Sequence, residues 1–89
     1  MKEQVQETLS LNGLKNGESA MVLRIDVTGR TKRRLVEMGL TPGTKITISK
    51  RAPLGDPIEI SLRGYELTLR EEDAQQIQVV RSGKERVRA

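Results

Sequence analysis

The chain contains neither cysteine nor histidine among its 89 residues. Without cysteine it forms no disulfide. Without either residue it lacks the thiolate and imidazole that borderline and soft metals prefer. The same absence removes the usual partner that activates a serine or threonine nucleophile. Aromatic residues are reduced to Tyr65 alone, so the stacking platforms that hold single-stranded nucleic acid are missing. No apolar run reaches the length of a signal-peptide core or a membrane-spanning helix, and the simplest location is the cytoplasm. A chain this short makes one domain and buries only ~60–65% of its unfolded surface. Such a domain closes a core but has little left to wall a deep pocket. These exclusions point to a protein that is not an enzyme, takes no small-molecule substrate or cofactor, and binds another macromolecule.

Charge is unevenly spread. The net value is +4, and Arg81, Lys84, Arg86 and Arg88 against Glu85 place +3 of it in the last nine residues. Residues 1–80 hold 12 basic and 11 acidic side chains and are nearly neutral. Overall basicity is therefore a property of the segment 81–89, expected to be a disordered tail, and it gives little support to nucleic-acid binding by the folded part.

The order of elements follows from periodicity. Residues 1–8 are polar and without period, and are expected to be flexible. Leu9, Leu11 and Leu14, followed by the turn signal Asn16-Gly17, open a domain that spans 9–80. Ala20 to Val27 reads as a strand with Met21, Leu23, Ile25 and Val27 on one face, Arg24 and Asp26 on the other. Arg30 to Met38 reads as a helix, with Thr31, Leu35 and Met38 on its apolar face and Arg30, Arg33, Arg34 and Glu37 opposite. Gly39 fits the left-handed residue after that helix, and Leu40 can fold back on Leu35. Thr41-Pro42-Gly43-Thr44 suits a type II turn. A strand at 44–50 turns Ile46 and Ile48 inward. The prolines place 52–57 in a loop. Ile58, Ile60 and Leu62, then Leu67 and Leu69, alternate through a hairpin whose turn is read as Gly64-Tyr65, type II′. Glu71-Glu72-Asp73 opens a helical turn, and a last strand covers 77–80. The expected inward set is Leu23, Ile25, Leu35, Met38, Ile46, Ile48, Ile58, Ile60, Leu62, Leu67, Leu69, Ile77 and Val79. About five short strands with one short inserted helix describe a mainly β fold, a small, partly open barrel.

Three motifs occur in order. Arg34-Leu35-Val36-Glu37-Met38-Gly39-Leu40-Thr41-Pro42-Gly43 resembles the "R-L-x-E-M/L-G-L-x-P-G" signature of the FeoA family. Leu54-Gly55-Asp56-Pro57-Ile58-Glu59-Ile60 is similar to its "G-D-P-I-E-I" strand, and Gly64-Tyr65-Glu66-Leu67-Thr68-Leu69-Arg70 to its "G-x-x-L-x-L-R" hairpin. The resemblance runs from Leu9 to Val80. It implies an SH3-like barrel and a cytoplasmic accessory role in ferrous iron uptake, with the membrane transporter FeoB as partner and recruitment to the inner face of the membrane. The same domain type occurs at the C-terminus of iron- and manganese-dependent repressors, but 89 residues leave no room for a winged-helix domain and its dimerisation helices, so a free-standing FeoA is expected.

Each candidate site has a plainer reading beside it. Met1, Met21 and Met38 read as a terminus and two core fillers. Glu71, Glu72 and Asp73 are consecutive, point in different directions, and read as helix-start charges, so no resident metal is expected. Asp56 between Gly55 and Pro57 reads as a turn brace. Gly39 to Lys45 lacks the Gly-Lys-Ser/Thr order of a phosphate loop and is a helix stop. Arg30, Lys32, Arg33 and Arg34 form the basic cluster that a nucleic-acid reading would need. A solvated face, with Arg33 near Glu37, is the preferred explanation of the cluster, and an acidic protein surface is the next choice. Val36 lies off the apolar face of the helix, and Leu54 sits at the tip of the Pro-bounded loop. Arg30, Arg33, Arg34, Val36, Leu54 and Asp56 are accordingly the expected contact residues for a partner protein. The runner-up is a small basic nucleic-acid-binding or regulatory module. Self-association through an exposed strand edge stays open.

Overall fold

Over residues 6–82, which the computed structural model describes, the alternating pattern resolves into six strands. They are β1 (Gln6–Ser10), β2 (Ser19–Ile25), β3 (Lys45–Arg51), β4 (Ile58–Leu62), β5 (Tyr65–Leu69) and β6 (Ile77–Ser82). Helix α1 (Gly29–Glu37) links β2 to β3, the single turn α2 (Glu71–Ala74) links β5 to β6, and a 3-10 turn covers Leu11–Gly13. Neighbouring strands are antiparallel throughout, in the order β1-β6-β2-β3-β4-β5. The sheet curls into an SH3-like barrel that stays unclosed, with β1 and β5 as its two edges.

The core is aliphatic. Leu35, Leu40, Ile46, Ile48, Ile58, Ile60, Ile77 and Val79 have no exposed surface, and Leu62, Leu67 and Leu69 are buried with them. Leu11 and Leu14 are as deeply buried as any strand residue. Their carbonyl neighbourhood is held by Arg51, whose Nη2 donates to the carbonyls of Asn12 (2.6 Å) and Leu14 (2.7 Å). One guanidinium thus satisfies two end-of-turn carbonyls that the 3-10 segment leaves unpaired.

Helix α1 closes as a Schellman motif. The Leu40 N–H reaches the Leu35 carbonyl and the Gly39 N–H the Val36 carbonyl, both at 2.9 Å, while Gly39 takes φ 97°. Leu35 and Leu40 are both fully buried at this closure. The following residues form the expected type II turn, with Gly43 at φ 93° and the Thr44 N–H on the Thr41 carbonyl at 3.0 Å.

Four expectations need correction. First, β1 is a strand rather than a loose leader: from Gln6 onward it pairs along β6, with Glu7 opposite Arg81 and Leu9 opposite Val79. Second, β6 runs to Ser82, so Arg81 belongs to the sheet. The rest of the basic segment, 83–89, lies outside the described residues, as does most of the expected flexible leader. Third, Met21 and Leu23 point outward and Ala20 and Val22 inward. The cause is a bulge: Val22 pairs with Val79 and Arg24 with Gln78, so Leu23 is an extra residue and the inward parity shifts before Ile25. Fourth, the β4–β5 turn is Arg63-Gly64. Leu62 faces Tyr65, and the two central residues have φ 49° and 88°, the paired positive values of a type I′ turn. Met38, expected inward, is half-buried against the core.

Candidate functional site

The exposed face of α1 carries Arg30, Lys32, Arg33, Arg34, Val36 and Glu37. Gly29, Lys32, Arg33, Val36 and Glu37 line a shallow open depression on it. Val36 remains 40% exposed at its floor. Among the described residues no ion pair engages Arg30, Lys32, Arg33 or Arg34; the salt bridges there are Arg24–Asp26, Arg70–Glu72 and Arg81 with Glu7 and Glu18. Arg33 and Glu37, adjacent on the helix, do not join. Arg34 lays its Nη1 3.9 Å from the Met38 sulfur.

The placement of these charges is informative. The first turn of α1 holds no acidic residue, and Thr28 makes no side-chain cap. Arg30 and Lys32 therefore add positive charge to the positive end of the helix dipole, which works against helix stability. The face is predominantly cationic, with Glu37 its one acidic member.

The Pro-bounded loop is the second candidate region. A tight turn brings the Gly55 N–H to the Ala52 carbonyl at 2.7 Å and leaves Leu54 95% exposed. Leu54 therefore does not pack into the barrel end. Asp56 Oδ1 accepts the Glu71 N–H at 2.9 Å, joining the loop to the start of α2. Glu71 in turn accepts from the Asn12 side chain at 2.8 Å. Asp56 braces one of the orphan N–H groups of α2, a role that spacing alone did not reveal. Among the described residues, no three His, Cys, Asp or Glu side chains converge as a metal-binding group.

The two regions are not one surface along the sheet. The closing end of α1 is fastened to the start of β3 and the hairpin tip: Thr44 Oγ1 donates to the Gly39 carbonyl at 3.1 Å, and Arg63 reaches Gly39 and Thr44 at 3.4 and 3.3 Å. The loop leaves the opposite end of β3, whose seven residues reach roughly 20 Å. Arg34 and Val36 therefore belong near one end and Leu54 and Asp56 to the other. Sequence reading missed Met21 and Leu23, which are about half exposed on β2. Only the bulge distinguishes them from core residues.

A family model described as the FeoA domain matches residues 9–81. The chain belongs to the FeoA family. Over 71 residues it is 37% identical to the Fe(2+) transport protein A/Fe(2+) transporter FeoB fusion protein of Porphyromonas gingivalis (strain ATCC BAA-308 / W83). That match takes in 80% of this chain but only 8% of the fusion protein. The NMR structure of a FeoA-like protein from Clostridium acetobutylicum superimposes with a TM-score of 0.75 at 34% identity, covering 93% of this chain and 95% of that one. The solution structure of FeoA from Chlorobium tepidum gives 0.77 at 38% identity, over 83% and 70%. The three motifs read at 34–43, 54–60 and 64–70 lie inside the matched FeoA domain. No helix among the described residues is long and apolar enough to cross a membrane.

Proposed function

We propose that this FeoA domain is a non-enzymatic accessory of ferrous iron uptake, binding a FeoB-type transporter at the cytoplasmic face of the membrane and regulating it. The observation that carries the reading is the relative in which a domain of this family is part of one chain with FeoB. Covalent linkage places two modules at millimolar effective concentration. A separate chain must achieve the encounter through its own surface.

The helix face is the surface suited to steering. Arg30, Arg33 and Arg34 raise the on-rate toward an acidic patch, and Val36 supplies an apolar contact inside the cationic rim. Leu54, held outward by a turn between two prolines, supplies a second anchor with a reduced ordering cost. Asp56 supports that loop from behind. Because the two regions leave opposite ends of β3, a transporter that uses both must grip the barrel along its length.

The test is binding of the purified chain to FeoB in detergent or nanodiscs, with nucleotide hydrolysis and iron uptake read in parallel. Binding is expected, and Arg33→Glu with Arg34→Glu should weaken it about tenfold or more, chiefly through association rate. Absence of binding by the unaltered chain refutes the reading. The unpaired arginines also suit a polyanion, and a salt series on random duplex separates the two. Nucleic-acid affinity falling linearly in log–log form with salt would favour the nucleic-acid module.

A further inference from the structure

We propose that β5 is a docking edge for a second copy of this chain, forming a two-fold dimer in which β5 pairs antiparallel with β5. The strand has β4 on one side and, among the described residues, no strand on the other. Tyr65 opposite Leu62 closes the two-residue turn as a hydrogen-bonded pair, so Tyr65, Leu67 and Leu69 spend their backbone groups on β4. Glu66 and Thr68 turn their N–H and C=O groups to the open side. Arg70 continues the line, with extended φ −81° and ψ 149°.

Parity then restricts the registers. Only the residues with outward backbone groups can meet, so Glu66, Thr68 and Arg70 must face one another in some pairing. Matching Glu66 with Glu66 opposes like charges across the two-fold axis. Matching Thr68 with Glu66, or with Arg70, leaves the charges without opposite partners. Matching Thr68 with Thr68 sets Glu66 of each copy against Arg70 of the other. That register alone makes two opposite-charge pairs around a central threonine pair, both favoured cross-strand combinations. Each Thr68 N–H then meets the other copy's Thr68 carbonyl. Each Arg70 N–H meets the other copy's Glu66 carbonyl, while the Arg70 carbonyl keeps its bonds to the Asp73 and Ala74 N–H groups.

The side chains are free to do this. Glu66, Thr68 and Arg70 are all exposed, whereas Leu67 and Leu69 are buried in the barrel and stay there. Among the described residues Glu66 is engaged only by the Ser49 hydroxyl at 3.2 Å, and Arg70 by Glu72 at 3.9 Å. The other edge lacks this self-complementarity, because Glu7 is the one charged residue of β1 and is bound to Arg81. A β5–β5 contact is isologous, uses up both edges involved, and closes at two copies.

The test is sedimentation equilibrium of the full chain at low ionic strength, up to millimolar concentration, with amide exchange read by NMR. A monomer–dimer equilibrium is expected, with the Thr68 and Arg70 amides protected as dimer forms. Glu66→Lys alone and Arg70→Glu alone should each weaken the dimer roughly tenfold, by turning two attractive pairs into repulsive ones. Combining them should restore affinity to within about threefold, since the swapped charges face each other again. Unchanged thermal unfolding of the single variants excludes a folding defect. A chain monomeric at millimolar concentration, protection at β1 instead of β5, or a charge swap that fails to rescue would each overturn the proposal.

Discussion

Replacing Gly39 with alanine tests how tightly the helix end is locked to the hairpin tip. Two separate penalties apply. Gly39 has φ 97°, a conformation that costs an L-residue ~1–2 kcal/mol. A Cβ there would also lie 2.9 Å from the Tyr65 hydroxyl and 3.2 Å from Cδ and Nε of Arg63. Both obstacles are ends of flexible side chains, so they can move. Moving Arg63, however, gives up its bonds to the Gly39 carbonyl and Thr44, worth about 0.5–1 kcal/mol for a pair this exposed. The sum is ~1.5–3 kcal/mol. Gly43 is the internal control, with φ 93° and nothing within 4 Å of its virtual Cβ. Gly43→Ala should cost only the backbone part, ~1–2 kcal/mol. Urea unfolding of both variants, with m held constant as the check on two-state behaviour, reads the difference. Measured in an Arg63→Ala background, where the Arg63 bonds are already absent, the gap between Gly39→Ala and Gly43→Ala should narrow. Equal losses at Gly39 and Gly43 would refute the crowding argument.

Three further outcomes are expected. Leu54→Ala should leave stability within ~0.5 kcal/mol, as an exposed position does, while weakening transporter binding by ~1–2 kcal/mol; a calorimetric titration beside a thermal melt checks both. On β2, Val22→Ala should destabilise by ~1–3 kcal/mol, through lost burial and the cavity left behind, and Leu23→Ser by much less; the reverse order would mean the bulge is misplaced. Glu18 accepts the Lys15 N–H and an Arg81 N–H, at 2.8 and 2.6 Å, and the first of these chiefly holds its carboxyl below the ordinary 4.5. A depressed carboxyl pKa stabilises the fold above the unfolded value and loses that contribution as pH falls through the folded value. The stability difference between the unaltered chain and Glu18→Gln should therefore be constant near neutrality and shrink below about pH 4.5, as followed by urea melts across the acid range.

Local signals in this chain were legible and long-range ones were not. The closure at Gly39, the turn at Pro42-Gly43 and the alternation of β4 and β5 each involve residues within a few positions of one another. Composition alone specifies them. The face of β2 was misread because Ala20 through Leu23 are all apolar, and only pairing with Val79 and Gln78 reveals the extra residue. β1 escaped because its partners lie more than sixty positions away and its one buried-side anchor, Leu9, looks like a loop residue. The hairpin turn shifted by one residue because Arg63 accepts a positive φ that side-chain chemistry does not advertise. At the candidate site, the exposure of Val36 and Leu54 was readable from their offset from the apolar pattern. Their assignment to different ends of β3 depends on strand pairing and was not.

The pairing of β1 with β6 has a mechanical consequence. Gln6 lies directly opposite Ser82, so the described chain enters and leaves the sheet at one corner, about 5 Å apart. A tether attached to either end pulls from that same corner. Tension between the two ends loads the β1–β6 ladder one rung at a time, opening it like a zipper instead of shearing all its hydrogen bonds together. Beyond the ladder, the next rungs to feel the load are those of β6 on β2. The barrel half built from β3, β4 and β5 stands outside the line of force, and would stay folded while the terminal strand peels away.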